Sequence, residues 1–514
     1  MSSEALRRKL GKIFMFGFQG SEPPETLGRF FDHWGLAGVI VFTRNASSGT
    51  RMRSLIEQVR ARAASPILVA IDHEGGPVLR LSSEASQLPS AMGLAATGDP
   101  ANARLAGRIA GLELSALGVD INLAPVLDVN SNPDNPGIGL RSFGETAEAV
   151  ARFALPYLEG LQSAGVSGTA KHFPGKGSAS LDAHFDLPLI SRQEPELRRQ
   201  DFPPFIEAVR AGIDCFMGSH TVYQAFGDDV PGTLSRRVMT GLLREEMGFG
   251  GVLITDDLEM GAIRDHFGFE RAIKSSFLAG ADLLLICHDA AKQEAALELM
   301  ERAVETGEIP EARVDESVAR VERLLAKHRD SKPVEPLEAL VARHDAPVRR
   351  LWAESVCLVR DPGALLPLTA FASAAAFFPV LAELSPVEES SGSDPALAAT
   401  LTARLPALGT MSFAPKRAAD LSRARQLASE SEVSIFFSYN AHVDPEQAAL
   451  LAAVRDASRR FALVALRNPY DLRLTRPGDT ALATLGFRPG VLAVTAGALL
   501  GELSVTGRLP AAIG

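Results

Sequence analysis

The chain has 514 residues, a length that suits two domains better than one. Hydrophobic residues make up 46% and charged residues 22%, the mix of a soluble globular protein with a large core. The formal charge is -10 and there is no Lys/Arg run of the kind that tracks phosphates, which argues against nucleic acid as a partner. No stretch offers the roughly 18 uninterrupted apolar residues of a membrane span, so no membrane partner is expected. The first residues, MSSEALRRKLGKIF, carry positive charge without a following apolar run or a small-residue cleavage site, and do not read as a signal peptide. Cys215, Cys287 and Cys357 are odd in number and sit in apolar stretches, the pattern of buried, reduced thiols in the cytoplasm.

In chain order, eight apolar runs are each read as a strand: Lys12–Phe18, Ala37–Phe42, Pro66–Asp72, Gly118–Pro125, Val166–Phe173, Ile213–Ser219, Gly251–Asp256 and Ala281–Cys287. Continuous rather than alternating hydrophobicity is what a parallel sheet covered on both faces requires. Helical patterns separate them: Met52–Ala63, Ala101–Leu117, Glu145–Ala164, Glu194–Ala211, Arg236–Met247, Ala262–Ala279 and Ala290–Thr306. A (β/α)₈ barrel over 1–325 is the economical interpretation, with a doubly wound open sheet as the alternative. Residues 326–347 are charged and contain Pro, and suit a linker with one helical stretch. Beyond it, short runs at Val356–Arg360, Ala374–Val380, Val433–Tyr439, Phe461–Arg467 and Ala481–Phe487 alternate with helical patterns. They predict a smaller α/β sandwich-like domain over 348–514, with Glu383–Pro395 as a solvated acidic loop.

Active sites of barrels lie at the C-terminal ends of the strands. Those ends carry Arg44, Asp72-His73-Glu74, Lys171-His172, Ser219-His220, Asp256-Asp257 and His288-Asp289, and the fourth strand leads on to Asp128 and Arg141. The strand starts are Gly, Pro, Ala or Val, so ionisable residues gather on one rim. Some of these charges also suit capping of the helix that follows. The segment Lys171–Gly177, KHFPGKG, continues to Asp182-Ala183-His184. An Asp held against one imidazole nitrogen fixes the tautomer and leaves the other nitrogen to exchange protons. The Gly-bounded loop from Gly175 to His184, with only Ala179, Leu181 and Ala183 as apolar anchors, is expected to be more mobile than the strand-borne residues. In GVLITDDLEM, Gly251–Met260, a carboxylate emerges where a buried strand ends. An Asp there serves as nucleophile, metal ligand or helix cap, and periodicity does not choose among them. No H-E-x-x-H or C-x-x-C spacing points to a transition metal, and no metal or cofactor is expected.

AIDHEGG at Ala70–Gly76, NLAPVLDVNSNPDNPGIGLRSFG at Asn122–Gly144, KHFPGKG with its DAH, and LITDDLEM occur in this order. Together they resemble the glycoside hydrolase family 3 barrel in its β-N-acetylglucosaminidase branch, over about Gly11 to Leu325. ALRNPYDL at Ala465–Leu472 and GELSVTGRLP at Gly501–Pro510 are similar to a short form of the family's second domain. The resemblance implies a retaining exo-hydrolase that removes terminal β-linked N-acetylglucosamine. Asp256 would be the nucleophile, His184 the proton donor paired with Asp182, and Asp257 structural or a support to the site from behind. Asp72, Arg141, Lys171, His172 and, less directly, Arg44 would bind the terminal sugar. A His donor departs from the usual two-carboxylate scheme. This sequence also departs from the family at Pro77, usually Arg, and at Lys176, often His.

A β-glucosidase or β-xylosidase of the same family would lack the D-x-H loop and take a Glu from the second domain. A phosphorylase would keep the fold and nucleophile but use phosphate as acceptor. A non-catalytic sugar-binding barrel would have lost Asp256 or His184. The absence of an export signal points to cell-wall muropeptides, GlcNAc linked to an anhydro-muramic residue, with chitin disaccharide as the alternative.

Overall fold

The computed structural model describes residues 3–329, 335–381, 388, 395–405 and 407–513. The first eight long-range strands are β1 (Phe14–Phe16), β2 (Gly38–Val41), β3 (Leu68–Ile71), β4 (Ile121–Asn122), β5 (Ser167–Phe173), β6 (Cys215–Gly218), β7 (Val252–Ile254) and β8 (Leu284–Ile286). Each falls inside its predicted run. All pair in parallel with their sequence neighbours, β8 pairs with β1, and a parallel bridge between Ile254 and Leu283 completes the ring. The sheet is therefore a closed barrel, not a doubly wound open sheet. Every residue of these strands is buried, because side chains alternate between the barrel interior and the helical shell.

The interior is packed by Met15, Ile40, Leu68, Ile121, Met217, Ile254 and Leu285, and the same apolar cluster takes in Val321, Leu324 and Leu325. Those three come from the helix Glu311–Arg329, which thus seals the barrel where its strands begin. That end is not free of charge, as the sequence suggested. Asp120, Asp214 and Asp282 precede β4, β6 and β8, and are paired with Arg60, Lys327 and Arg244 respectively. Asp120 and Asp282 also accept the backbone N–H groups of Val69 and Leu253. These carboxylates hold strand starts together, the stabilising role expected of the barrel's N-terminal face.

Two predicted helices are interrupted. Glu194–Ala211 is split into Glu194–Gln200 and Pro203–Arg210, since Pro203 cannot continue a helix begun before it. Ala262–Ala279 is split into Gly261–Arg264 and Phe269–Ala279 by Gly268, whose φ of 75° lies in the left-handed region. An unpredicted helix, Glu25–Trp34, follows β1. The segment read as a linker is mostly helical within the described residues: the end of Glu311–Arg329 and the start of Leu337–Ser355 fall in it. Leu337, Val348 and Leu351 join the barrel's outer core, His344 Nδ1 meets Glu113 at 2.7 Å, and Trp352 Nε1 donates to the Gln87 carbonyl at 2.8 Å. This helix packs with the barrel.

The second sheet has six strands: β9 (Cys357–Arg360), β10 (Ala374–Pro379), β11 (Leu408–Phe413), β12 (Val433–Ser438), β13 (Phe461–Ala465) and β14 (Thr480–Ala483). Their order is β9-β14-β13-β12-β10-β11, parallel except for β9 against β14. Separate apolar clusters lie on its two faces, which gives the α/β sandwich. β11 escaped the sequence reading because it is a half-exposed edge strand in which Leu, Met and Phe are interspersed with Gly, Thr and Ser. Of the acidic stretch Glu383–Pro395, all but Glu388 and Pro395 lie outside the described residues.

Candidate active site

The C-terminal mouth of the barrel opens into a cleft of about 540 Å³, lined by Arg44, Asp72, Arg141, Lys171, His172, His184 and Asp256 among others. Seven of the eight sequence-predicted site residues thus meet in one cleft. The eighth, Asp182, stands behind His184 and is 8% exposed.

Strand ends β3 and β5 and the loop after β4 build a network of four charges. Lys171 Nζ lies 2.7 Å from both Asp72 Oδ1 and Glu74 Oε1. Arg141 grips Glu74 with two bonds of 2.9 Å, and its Nη1 donates to the Gly137 carbonyl at 2.7 Å. Arg80 adds a contact of 3.3 Å to Asp72 Oδ2. Burial alone would raise the Asp72 carboxyl, but Lys171 and Arg80 hold it at about 2. Glu74 is likewise held below its usual value against burial, by Arg141 and Lys171. A buried network of this kind is stable only when each charge has its partners, so it presents a fixed array of donors and acceptors. Glu74 and Arg80 were given no role from the sequence, although Glu74 stands in the quoted AIDHEGG stretch.

His172 Nδ1 lies 2.7 Å from Asp128 Oδ2. Burial, reinforced by Lys176 and Arg141, pushes the imidazole well below its ordinary value, so the ring is neutral at physiological pH. Asp128 also accepts the Lys176 backbone N–H at 2.7 Å, which ties the following loop to the barrel. Arg44 donates to the carbonyls of Phe18 at 3.1 Å and Cys287 at 2.6 Å, and its guanidinium lies over the Phe42 ring.

The loop after β5 carries the dyad. His184 Nδ1 sits 2.6 Å from Asp182 Oδ1. Burial works against the charged form of Asp182, but the bond and the charge of His184 outweigh it and hold the carboxyl far below its usual range. Gly177 is required where the loop crosses β4's extension, since a Cβ there would lie 1.7 Å from the Val129 carbonyl oxygen. Side-chain bonds pin the loop: Asn135 Nδ2 donates to Lys176 and Gly177 carbonyls, Asn132 Nδ2 to that of Ala179, and Tyr223 Oη to that of Gly175. Of the three apolar anchors, Ala179 and Ala183 are buried and Leu181 is exposed.

β7 delivers Asp256. Its Oδ1 accepts the Asp257 backbone N–H at 2.9 Å. Burial would raise this carboxyl, yet the charges of Lys176, His220 and His184 keep it below its ordinary value. An ionised carboxylate facing a cleft is chemically a nucleophile. Asp257 is engaged elsewhere, with the backbone N–H groups of Glu259 and Cys287 and with His288 Nε2 at 3.1 Å. The Ala262 N–H donates to the Ala183 carbonyl at 3.1 Å, so the turn after Asp256 and the dyad loop are stitched together.

The second domain reaches this mouth. Arg488 donates to the Gly76 and Pro77 carbonyls at 3.0 and 3.1 Å, beside the turn that bears Asp72 and Glu74. Asn468 Oδ1 accepts the Leu140 N–H at 3.2 Å, next to Arg141. Glu388 is buried and lines the cleft, whereas the sequence placed it in a solvated loop.

The profile of the Glycosyl hydrolase family 3 N terminal domain matches residues 5–324. A beta-hexosaminidase of Stenotrophomonas maltophilia (strain K279a) is 35% identical over 300 residues, covering 57% of this chain and 89% of that one. Beta-hexosaminidase A of Pseudoalteromonas piscicida is 33% identical over 333 residues, 59% of this chain, and the chain spans only 55% of that protein's length. Among solved structures, a glycoside hydrolase family 3 beta-N-acetylglucosaminidase from Paenibacillus sp. str. FPU-7 superposes with a TM-score of 0.90 at 33% identity, covering 99% of both chains. This chain, barrel and sandwich domain alike, belongs to glycosyl hydrolase family 3.

Proposed function

We propose that this glycoside hydrolase is a retaining exo-β-N-acetylglucosaminidase, with Asp256 as nucleophile and His184, paired with Asp182, as acid and base. The observation that carries the reading is the His184–Asp182 contact of 2.6 Å in the same cleft as Asp256. Asp256 attacks the anomeric carbon as the bond to the leaving oxygen breaks, and His184 supplies that oxygen's proton. His184 then takes a proton from water, the resulting hydroxide attacks the anomeric carbon, and the Asp256 ester is released. Asp182 keeps Nδ1 occupied and stabilises the imidazolium, which leaves Nε2 for the transfers.

Asp72, Arg141, Lys171, His172 and Arg44 are the proposed sugar-binding set. Charge-assisted bonds from Asp72 and Lys171 would hold the ring hydroxyls, and neutral His172, donating through Nδ1 to Asp128, offers Nε2 as an acceptor. Such bonds fix the anomeric carbon over Asp256, the main source of rate that positioning supplies.

The proposed substrate is a GlcNAc-terminated cell-wall muropeptide, processed in the cytoplasm; three buried free cysteines support that compartment. No described helix is long and apolar enough to cross a membrane. The proposed division keeps the catalytic barrel at 1–325, the connecting segment at 326–347 and the second domain at 348–514. The test is release of chromophore from an aryl N-acetyl-β-glucosaminide and an aryl β-glucoside, each with and without phosphate. Turnover of the first alone, with free GlcNAc as product, is expected. Preference for the glucoside, or GlcNAc 1-phosphate as product, would overturn the reading.

A further inference from the structure

Glu388 and Arg467 form a buried ion pair that leaves one carboxylate oxygen free. Arg467, just beyond the end of β13, is 1% exposed and donates through Nη2 to Glu388 Oε1; Glu388 is 4% exposed. Among the described residues Glu388 Oε2 has no hydrogen-bond partner, while the Arg467 guanidinium also lies 6.0 Å from the centroid of the Tyr439 ring. Buried polar atoms are satisfied in the great majority of cases, and an ion pair taken out of water is costly unless its remaining atoms are bonded. The unpartnered Glu388 oxygen, on a residue that lines the sugar cleft, calls for a ligand.

The pair is held in register with the barrel. Asn468, next to Arg467, accepts the Leu140 N–H, and Tyr470 Oη meets Asn130 Nδ2 at 2.8 Å and Glu145 Oε1 at 2.9 Å. The loop that carries Arg141 is thereby fastened to the strand end that carries Arg467. A carboxylate so placed, already bound to a guanidinium, is suited to accepting hydrogen bonds.

We infer that Glu388 of the second domain, oriented by Arg467, is a specificity-determining residue that accepts a hydrogen bond from a hydroxyl of the terminal sugar. The inference rests on the activity proposed above. It gives the sandwich domain a share in recognition while leaving proton donation to His184. The part of the second domain that touches the saccharide is then a single carboxylate, backed by the Arg467 guanidinium.

The full chain is assayed first with aryl N-acetyl-β-glucosaminide, then with its 3-, 4- and 6-deoxy forms, in the native protein and in Glu388→Gln. Glu388→Gln is expected to lower kcat/KM about 10- to 100-fold, the worth of one hydrogen bond to a charged group. The loss should be equal for aryl and alkyl leaving groups, and inhibition by free GlcNAc should weaken in parallel. At one deoxy position the native protein should lose activity while Glu388→Gln loses little more, because both changes remove the same bond. Additive losses at all three positions would overturn the inference and leave the pair an interdomain strut. A loss confined to poor leaving groups and restored by azide would make Glu388 the proton donor, and would overturn both readings. If Glu388→Gln fails to fold, Glu388→Asp, which keeps the charge but withdraws the oxygen, carries the same deoxy comparison. Absence of turnover of the N-acetylglucosaminide by the native protein marks failure of the parent reading alone.

Discussion

His184 hangs from Asp182 by two bonds to one oxygen: its ring Nδ1 at 2.6 Å and its own backbone N–H at 3.0 Å from Asp182 Oδ1. The spacing of two residues lets one carboxylate fix both the ring and the backbone that carries it, so the imidazole has a single orientation. His184→Ala should therefore lose about 10²- to 10⁴-fold on glycosides with poor leaving groups, the range for general acid catalysis. Activated aryl glycosides, which depart without a proton, should lose far less. Asp182→Ala should follow the same trend more weakly, since it acts through the ring. Comparing kcat/KM across a series of leaving-group pKa values checks this; equal losses along the series would assign the loop to binding or folding.

Asp256 and Asp257 are neighbours with different surroundings. Asp256 faces the cleft and is kept ionised by Lys176 and His220, whereas Asp257 is tied to Cys287, Glu259 and His288. Asp256→Ala should keep the fold and the binding of GlcNAc, and lose turnover by several orders of magnitude. A 5-fluoro glycosyl inhibitor should label Asp256 in the native protein. Peptide mass spectrometry locates the label, and its appearance on Asp257 would reverse the assignment within the pair.

The barrel was legible because each strand is buried on both faces, which leaves an apolar run with a polar end. Asp72, Lys171-His172 and Asp256 stand at such ends, and their convergence follows from the closed ring. The helix Glu25–Trp34 buries Leu27, Phe30, Phe31 and Trp34, a helical spacing that was present in the sequence and went unread. Glu388 is a different case. It lies in an acidic, Ser-rich stretch where one carboxylate looks like any other, and its buried partner, Arg467, is distant. Pairing across 79 positions leaves no local pattern. The charged strand starts Asp120 and Asp282 were hidden by placing β4 and β8 a few residues too early, which put both inside predicted strands.

Lys176, in the KHFPGKG segment, is 6% exposed. Burial pushes its ammonium down, while Asp256, Asp128 and Asp182 draw it up. It is in turn the largest charge that holds Asp256 below its ordinary value. Asp256, the proposed nucleophile, would act as a carboxylate, so the acid limb of kcat/KM marks its protonation. Lys176→Met removes the cation, Asp256 protonates at higher pH, and the acid limb should move to higher pH. A pH profile of kcat/KM on an aryl glycoside reads the shift directly. An unmoved acid limb would mean that Lys176 shapes the loop without tuning the nucleophile.

Beneath the same loop lies Asp201, 1% exposed, with Oδ2 on Arg192 at 3.3 Å and Oδ1 without a partner. It packs under Gly175, where an added Cβ would come within 3.1 Å of its own Cβ. Burial raises this carboxyl to about 7, and Arg192 offsets only part of the effect. The unfolded chain has the ordinary value of 3.8. Between the two values the folded protein keeps a proton that the unfolded chain has given up. Stability contributed by Asp201 therefore falls as pH rises from about 4 to about 7, and changes no further above that. Asp201→Asn cannot ionise, so it should escape this loss. Relative to the native protein it should gain stability between pH 5 and pH 8, by an amount on the order of a few kcal/mol. Urea unfolding of both proteins at pH 5, 6.5 and 8 measures the difference, in which all other titrating groups cancel. Parallel stability curves would show that Asp201 is ionised in the fold throughout, and that Arg192 satisfies it.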